Sequence, residues 1–177
     1  MTTPNDPYNQ QPGYPPQAPP LSESELRRPA RPKSVDTAYL LWLIAAGLGI
    51  LGNLIGFATA EAVARQTLEA MNVDTSAVGA IQPSYGSLIF SLVVSVLWIL
   101  VVMQMRKGAN WARIVLTVLG VLAIIGGLFG LVAIGILFSV GFLGVIQALL
   151  SLAQLVLTIA AIVFMFKADS NQYFKAS

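Results

Sequence analysis

Residues 113–167, RIVLTVLGVLAIIGGLFGLVAIGILFSVGFLGVIQALLSLAQLVLTIAAIVFMFK, decide how this chain is built. Arg113 and Lys167 are the only charged residues in the stretch, and 53 residues lie between them. At 1.5 Å per residue a single helix of that length would run roughly 80 Å, against a bilayer hydrocarbon core of about 30 Å, so the stretch must fold back once. Working outward, no charge occurs between Asp36 and Glu61 or between Asp74 and Arg106, and each interval is long enough for one further span. The expected fold class is an all-α membrane protein: a four-transmembrane-helix bundle with a disordered, proline-rich N-terminal tail. The expected helices cover about 37–59, 84–105, 111–138 and 142–166.

Composition agrees with lipid as the main solvent. Of 177 residues 56% are hydrophobic and 10% charged, and the mean hydropathy is +0.74, far from globular usage. Cysteine and histidine are both absent, which removes disulfides, thiolate chemistry, the commonest metal and haem ligands and the commonest general base. The carboxylates outside the tail are Asp36, Glu61, Glu69, Asp74 and Asp169, all at span edges or in loops. No catalytic residue, no metal site and no cofactor is expected. The net charge of +2, with cations clustered beside the spans rather than along a face, argues against nucleic acid as a partner.

Residues 1–33 hold nine of the ten prolines and almost no aliphatic residue. Such a segment buries too little to offset its ordering entropy, so a disordered tail with polyproline II character is expected. Ser22 to Glu25 has capping-box spacing and would start at most one helical turn. Pro12, Pro15, Pro16 and Pro19 give two PxxP spacings beside Tyr8 and Tyr14, suited to an aromatic-lined groove on a cytoplasmic partner. The apolar run that follows is long enough to span, so an uncleaved anchor is expected rather than a secretory signal. Tyr39 and Trp42 fall near its start, at headgroup depth. Beyond it, Glu61, Arg65 and Glu69 are spaced for ion pairs along a helical continuation, with Asn72 as a stop. Residues 60–83 form the outside loop and 167–177 a short C-terminal tail. Nine of the ten Lys and Arg lie on the side of the tail, Arg65 being the exception, so both termini are expected in the cytoplasm at the plasma membrane. The juxtamembrane set is Arg27, Arg28, Arg31, Lys33, Arg106, Lys107 and Arg113.

Two patterns inside the spans carry the functional expectations. Small residues recur at steps of three and four: Gly49, Gly52 and Gly56 in the first helix, Gly120, Gly127 and Gly130 in the third. They allow helices to approach closely, within the bundle or against another membrane protein, including a second copy. The fourth helix presents Gln147, Ser151, Gln154 and Thr158 on one face, and Asn53 is the other amide at membrane depth. That face either lines a path for a small uncharged solute or forms interhelical hydrogen bonds, and the lack of any charged residue inside a span speaks against ion coupling.

The segments DPYNQQPGYPPQAPP, RPKSVDTAYLLWLIA, MRKGANWARIVLTVLG and NQYFKAS resemble a group of actinobacterial proline-rich, four-helix membrane proteins of unassigned function. The resemblance implies four spans and supplies no catalytic residue. The leading expectation is a noncatalytic accessory or scaffold subunit presenting its tail in the cytoplasm; the alternative is a carrier or channel for an uncharged solute. A dry, packed core beside the fourth helix would favour the first, and a polar cavity there the second.

Overall fold

The computed structural model describes residues 30–73 and 84–176. The expectations for the tail before residue 30, including Arg27 and Arg28, and for residues 74–83, fall outside the described residues. Among the described residues all regular structure is helical: α1 Lys33–Ala70, α2 Tyr85–Arg106, α3 Asn110–Gly130, a 3-10 turn Leu131–Ala133, α4 Ile134–Ser139, α5 Phe142–Met165 and α6 Ala168–Lys175.

α1 starts where Pro32, extended at φ −74° and ψ 153°, ends the preceding chain. It does not stop near residue 59 but continues to Ala70, about 57 Å in all. The continuation is held by the Arg65–Glu61 ion pair at 2.7 Å and by Gln66, whose side chain exchanges hydrogen bonds with Ser139. It terminates as the Asn72 side chain suggests: Asn72 adopts φ +55°, and Val73 N donates to Leu68 O at 3.0 Å, closing the last turn.

Ser84 caps α2 by accepting from Ser87 N at 3.4 Å. α2 and α3 meet through a Schellman turn: Gly108 is at φ +92°, Ala109 N donates to Gln104 O at 3.2 Å and Gly108 N to Met105 O at 3.0 Å. A side chain at Gly108 would carry the left-handed penalty, which is why this basic turn needs glycine.

The expected single helix over 111–138 is interrupted at Leu131–Ala133. Gly126, Gly127 and Gly130 weaken helical continuity just before the break. The chain then re-aims, so that α4 lies along the start of α5, where Gly144 faces the Leu137 carbonyl. Gly141, at φ +91°, makes the intervening corner.

α1 packs most extensively on α5; α2 lies beside α1, and α3 bridges α5 and α2. This arrangement is tight at one end and open at the other. At the end that carries Arg106, Lys107 and Arg113, here the basic end, a core of Val35, Ala38, Trp42, Val102, Met105, Leu116, Ala161 and Met165 is closed to solvent. Toward the distal end α1 and α5 stay together through Thr59, Gly144 and Ala148. α2 buries only Val102 and Met105, and α3 nothing beyond Gly120. α2 and α3 therefore stand away from the α1–α5 pair in their distal halves.

Four helices, α1, α2, α3 and α5, are long and apolar enough to cross a membrane, and at most 22% of the most apolar stretch of any of them is buried within the bundle. Side chains such as Ile89, Phe90, Phe129, Val132 and Phe142 are more than 60% exposed. Such a surface is stable only against hydrocarbon, while the helical backbone satisfies its own polar groups. The chain is a multi-pass membrane protein.

Residues 167–177, expected as a tail, contain α6, which docks across the basic end. Phe174 enters the core at 4% exposure. Ser34 Oγ donates to Asp169 Oδ2 at 2.7 Å, and Ser170 Oγ donates to Phe164 O at 2.9 Å.

Candidate functional site

A cleft opens between the helices where α2 and α3 part from the α1–α5 pair. It has two lobes, and Asn53 lines both. The larger, about 400 Å³, lies among α1, α2 and α5, with Gly52, Gly56, Phe57, Ser87, Ser91 and Gln147 in its wall. The smaller, about 200 Å³, reaches deeper between all four spans and is bounded by Trp42, Trp98, Gly49, Ser95, Gln154 and Thr158. Counting along α5 from Lys167, Thr158 lies about 14 Å, Gln154 about 20 Å and Gln147 about 30 Å from the basic end. The larger lobe is thus level with the distal boundary of a 30 Å hydrocarbon layer, and the smaller lies near its middle.

Glycines of α1 make room for the amides of α5. A methyl group on Gly56 would come within 3.2 Å of Gln147 Nε2, and one on Gly49 within 3.8 Å of Gln154 Nε2. Gly120 in α3 admits Trp42 and Ile162, each 3.0 Å from the position a methyl would occupy, and Gly127 receives Leu155 at 3.4 Å. Gly52 and Gly130, expected to pack, have no neighbouring atom within 4 Å. Gly52 forms cleft wall instead.

Of the expected polar face, the structure brings Asn53, Gln147, Gln154 and Thr158 to the cleft and leaves Ser151 out. Ser151 is exposed away from both lobes and donates back to Gln147 O at 2.9 Å. Thr59 Oγ lies 2.9 Å from both Gln147 Oε1 and the Ile55 carbonyl and shares its proton between them. Thr158 donates to Gln154 O at 2.8 Å. Ser91 and Ser95 likewise donate to their own helix, at 2.8 Å each, so their free lone pairs are acceptors for anything in the cleft. Asn53 makes no side-chain hydrogen bond among the described residues. Gln154 Oε1 is buried with no partner, an expensive condition for an amide oxygen at membrane depth.

Trp42 forms the floor. Expected at headgroup depth near the start of α1, it turns inward and is 1% exposed. Its indole donates to Met165 Sδ at 3.4 Å and meets Trp98 edge-on with centroids 5.3 Å apart. Only its position one helical turn beyond Ala38 could have signalled an inward face. Below it lies the dry core, so the cleft is closed toward the basic end.

The basic residues are less free than their sequence positions suggest. Arg31 and Arg106 both reach Asp36, at 3.1 and 3.0 Å, and Arg106 also covers the Tyr39 ring at 4.4 Å. Arg113 is not a surface cation: it is 7% exposed, donates to Asn171, and sits over Phe166 and Phe174 at 4.0 and 4.9 Å. Lys33 and Lys107 remain exposed. The Ser34 hydroxyl, by hydrogen bonding, holds the Asp169 carboxyl below its usual pKa. A depressed carboxyl contributes stability above its unfolded pKa and loses it as pH falls through the folded value, so α6 docking weakens only in acid, below about pH 3.9. Ser34→Ala is expected to raise the Asp169 pKa toward that ordinary value, as a carboxyl-carbon NMR titration would read; an unmoved titration would show that Ser34 is not the cause.

Among the described residues no cluster of three His, Cys, Asp or Glu could hold a metal. The cleft wall contains hydroxyls, amides, glycines and aromatic rings and no ionisable group. It can exchange hydrogen bonds with an uncharged molecule and stack against it. No family model, curated protein or solved structure matches the chain.

Proposed function

We propose that this protein is a noncatalytic, multi-pass plasma-membrane carrier for an uncharged, hydrogen-bonding molecule, with both termini in the cytoplasm and the cleft opening outward. The observation that carries this reading is the two-lobed cleft, lined by Asn53, Gln147, Gln154 and serines of α2 and shut below by Trp42. Gln147 makes one interhelical hydrogen bond, from Thr59, whereas Asn53 and Gln154 Oε1 have no partner among the described residues and line open space. A cleft sealed toward the basic end, and open at the other among the described residues, is one half of an alternating-access cycle. The outward assignment rests on the Lys and Arg bias of the connecting segments. The resemblance to actinobacterial proline-rich four-helix proteins fits the same placement, with the segment before Lys33 as a cytoplasmic docking tether.

Gly126 and Gly130, four residues apart on α3 with no atom within 4 Å, favour a second reading. In it the chain is an accessory subunit whose α3 packs on another membrane protein or a second copy.

One experiment separates the two. Proteoliposomes carrying the wild type are expected to take up erythritol, read by stopped-flow light scattering, at least ten times faster than vesicles carrying Gln147→Leu/Gln154→Leu. Equal rates would remove the carrier reading and leave the accessory one.

A further inference from the structure

The two lobes differ in chemistry as well as depth, and the difference describes the ligand. Resting on the carrier reading, we propose that the cleft takes a neutral amphiphile: an uncharged polyhydroxy head in the larger lobe and a short apolar body in the smaller, carrying one hydrogen-bond donor at its deep end. The ligand is one elongated molecule, because the two lobes meet at Asn53, which lines both.

Three observations carry this. First, the wall of the larger lobe mixes serine oxygens, whose protons are committed to their own helix, with the amides of Asn53 and Gln147. Groups that both donate and accept, such as sugar or polyol hydroxyls, satisfy such a wall. A charged headgroup would find no counter-ion in it and would lose its hydration. Second, the smaller lobe is bounded by Trp42, Trp98, Val94 and small residues, a surface suited to an alkyl or ring body at mid-membrane depth. Third, among the described residues its one buried polar atom without a partner is Gln154 Oε1. That oxygen can be satisfied only by a donor, and it lies seven residues, about 10 Å, from Gln147 along α5. The head level with the interface and the body within the hydrocarbon are the depths at which an amphiphile already rests in a bilayer. The combined space falls within the range of about 300–1,000 Å³ usual for small-molecule sites.

The test uses a matched pair of probes, octyl β-D-glucoside and its 8-hydroxyoctyl analogue, which adds a terminal hydroxyl at the end of a chain about 10 Å long. Binding to the full chain in nanodiscs is followed by tryptophan fluorescence in a Trp111→Phe background, leaving Trp42 and Trp98 as reporters. The wild-type cleft is expected to bind the hydroxylated probe saturably and at least tenfold more tightly than octyl glucoside, although its bulk partitioning into lipid is weaker. Gln154→Leu is expected to erase that preference, and octyl sulfate, with a charged head, to bind at least tenfold more weakly than octyl glucoside. Should Gln154→Leu fail to fold, Asn53→Leu provides the second arm. Asn53 anchors nothing among the described residues, and its loss is expected to weaken both glucosides about equally while keeping the preference for the hydroxylated one. No preference in the wild type, a preference unchanged in Gln154→Leu, or affinities unchanged in Asn53→Leu would overturn the proposal. Erythritol uptake without glucoside binding would sink this inference alone; the absence of both would sink the carrier reading and this inference with it.

Discussion

Trp42→Ala is expected to be among the most damaging single substitutions in the protein. The indole is 1% exposed, donates to Met165, meets Trp98 edge-on and fills the hollow that Gly120 leaves. Truncating a buried tryptophan costs about 3–5 kcal/mol through lost contacts and the void left behind. For a chain of this size that is roughly 6–20 °C in melting temperature, read by circular dichroism in detergent. Trp42→Phe keeps a ring over Gly120 and should lose less than half as much. A change below about 1 kcal/mol for the alanine variant would mean that the floor of the cleft is not packed as described.

Gly144→Ala is expected to act through the backbone. A methyl at this position would overlap the carbonyl oxygen of Leu137, and a backbone atom in a helix cannot swing aside as a side-chain tip does. α4 must move off α5, which also pulls Ser139 from Gln66. Overpacking of this kind costs typically about 1–3 kcal/mol, sometimes more. Gly135→Ala, on α4 with nothing within 4 Å of the added methyl, is the control and should be neutral or slightly stabilising, since alanine is the better helix former. Equal melting temperatures for the two variants would contradict the close α4–α5 approach.

The spans were legible because their signal is one-dimensional. A charge-free run long enough to cross hydrocarbon needs no tertiary knowledge, and the observed α2 and α5 lie within a residue of the expected 84–105 and 142–166. The break at Leu131–Ala133 was not legible. The glycines before it permit a break without placing one, and the close approach of Leu137 to Gly144 that accompanies it exists only in the folded hairpin. The extension of α1 to Ala70 was half visible in the Glu61 and Arg65 spacing; its other support, Gln66 on Ser139, spans 73 residues. Within the site, the periodicity of Gln147, Gln154 and Thr158 grouped them on one face of α5, and the structure sets all three with Asn53 in the cleft wall. Ser151 shares that periodicity yet turns away, because the face is broad and α1 covers only part of it. The inward turn of Trp42 was not legible because its distance from the basic end fits both an interfacial ring and an inward one. The docked α6 escaped notice because an eight-residue amphipathic segment carries little signal apart from the bundle end that Phe174 enters.

Because the chain contains no cysteine, the proposed hydrated cleft, open on the side opposite the basic turn, is directly measurable. Single cysteines at Asn53 and Lys107 would be exposed to a membrane-impermeant maleimide on intact cells, before and after permeabilisation. The residue 53 cysteine is expected to react on intact cells and to be protected by 8-hydroxyoctyl glucoside, while the residue 107 cysteine reacts only once the membrane is opened. Reaction of both from the same side, or a residue 53 cysteine silent from either, would contradict this expectation.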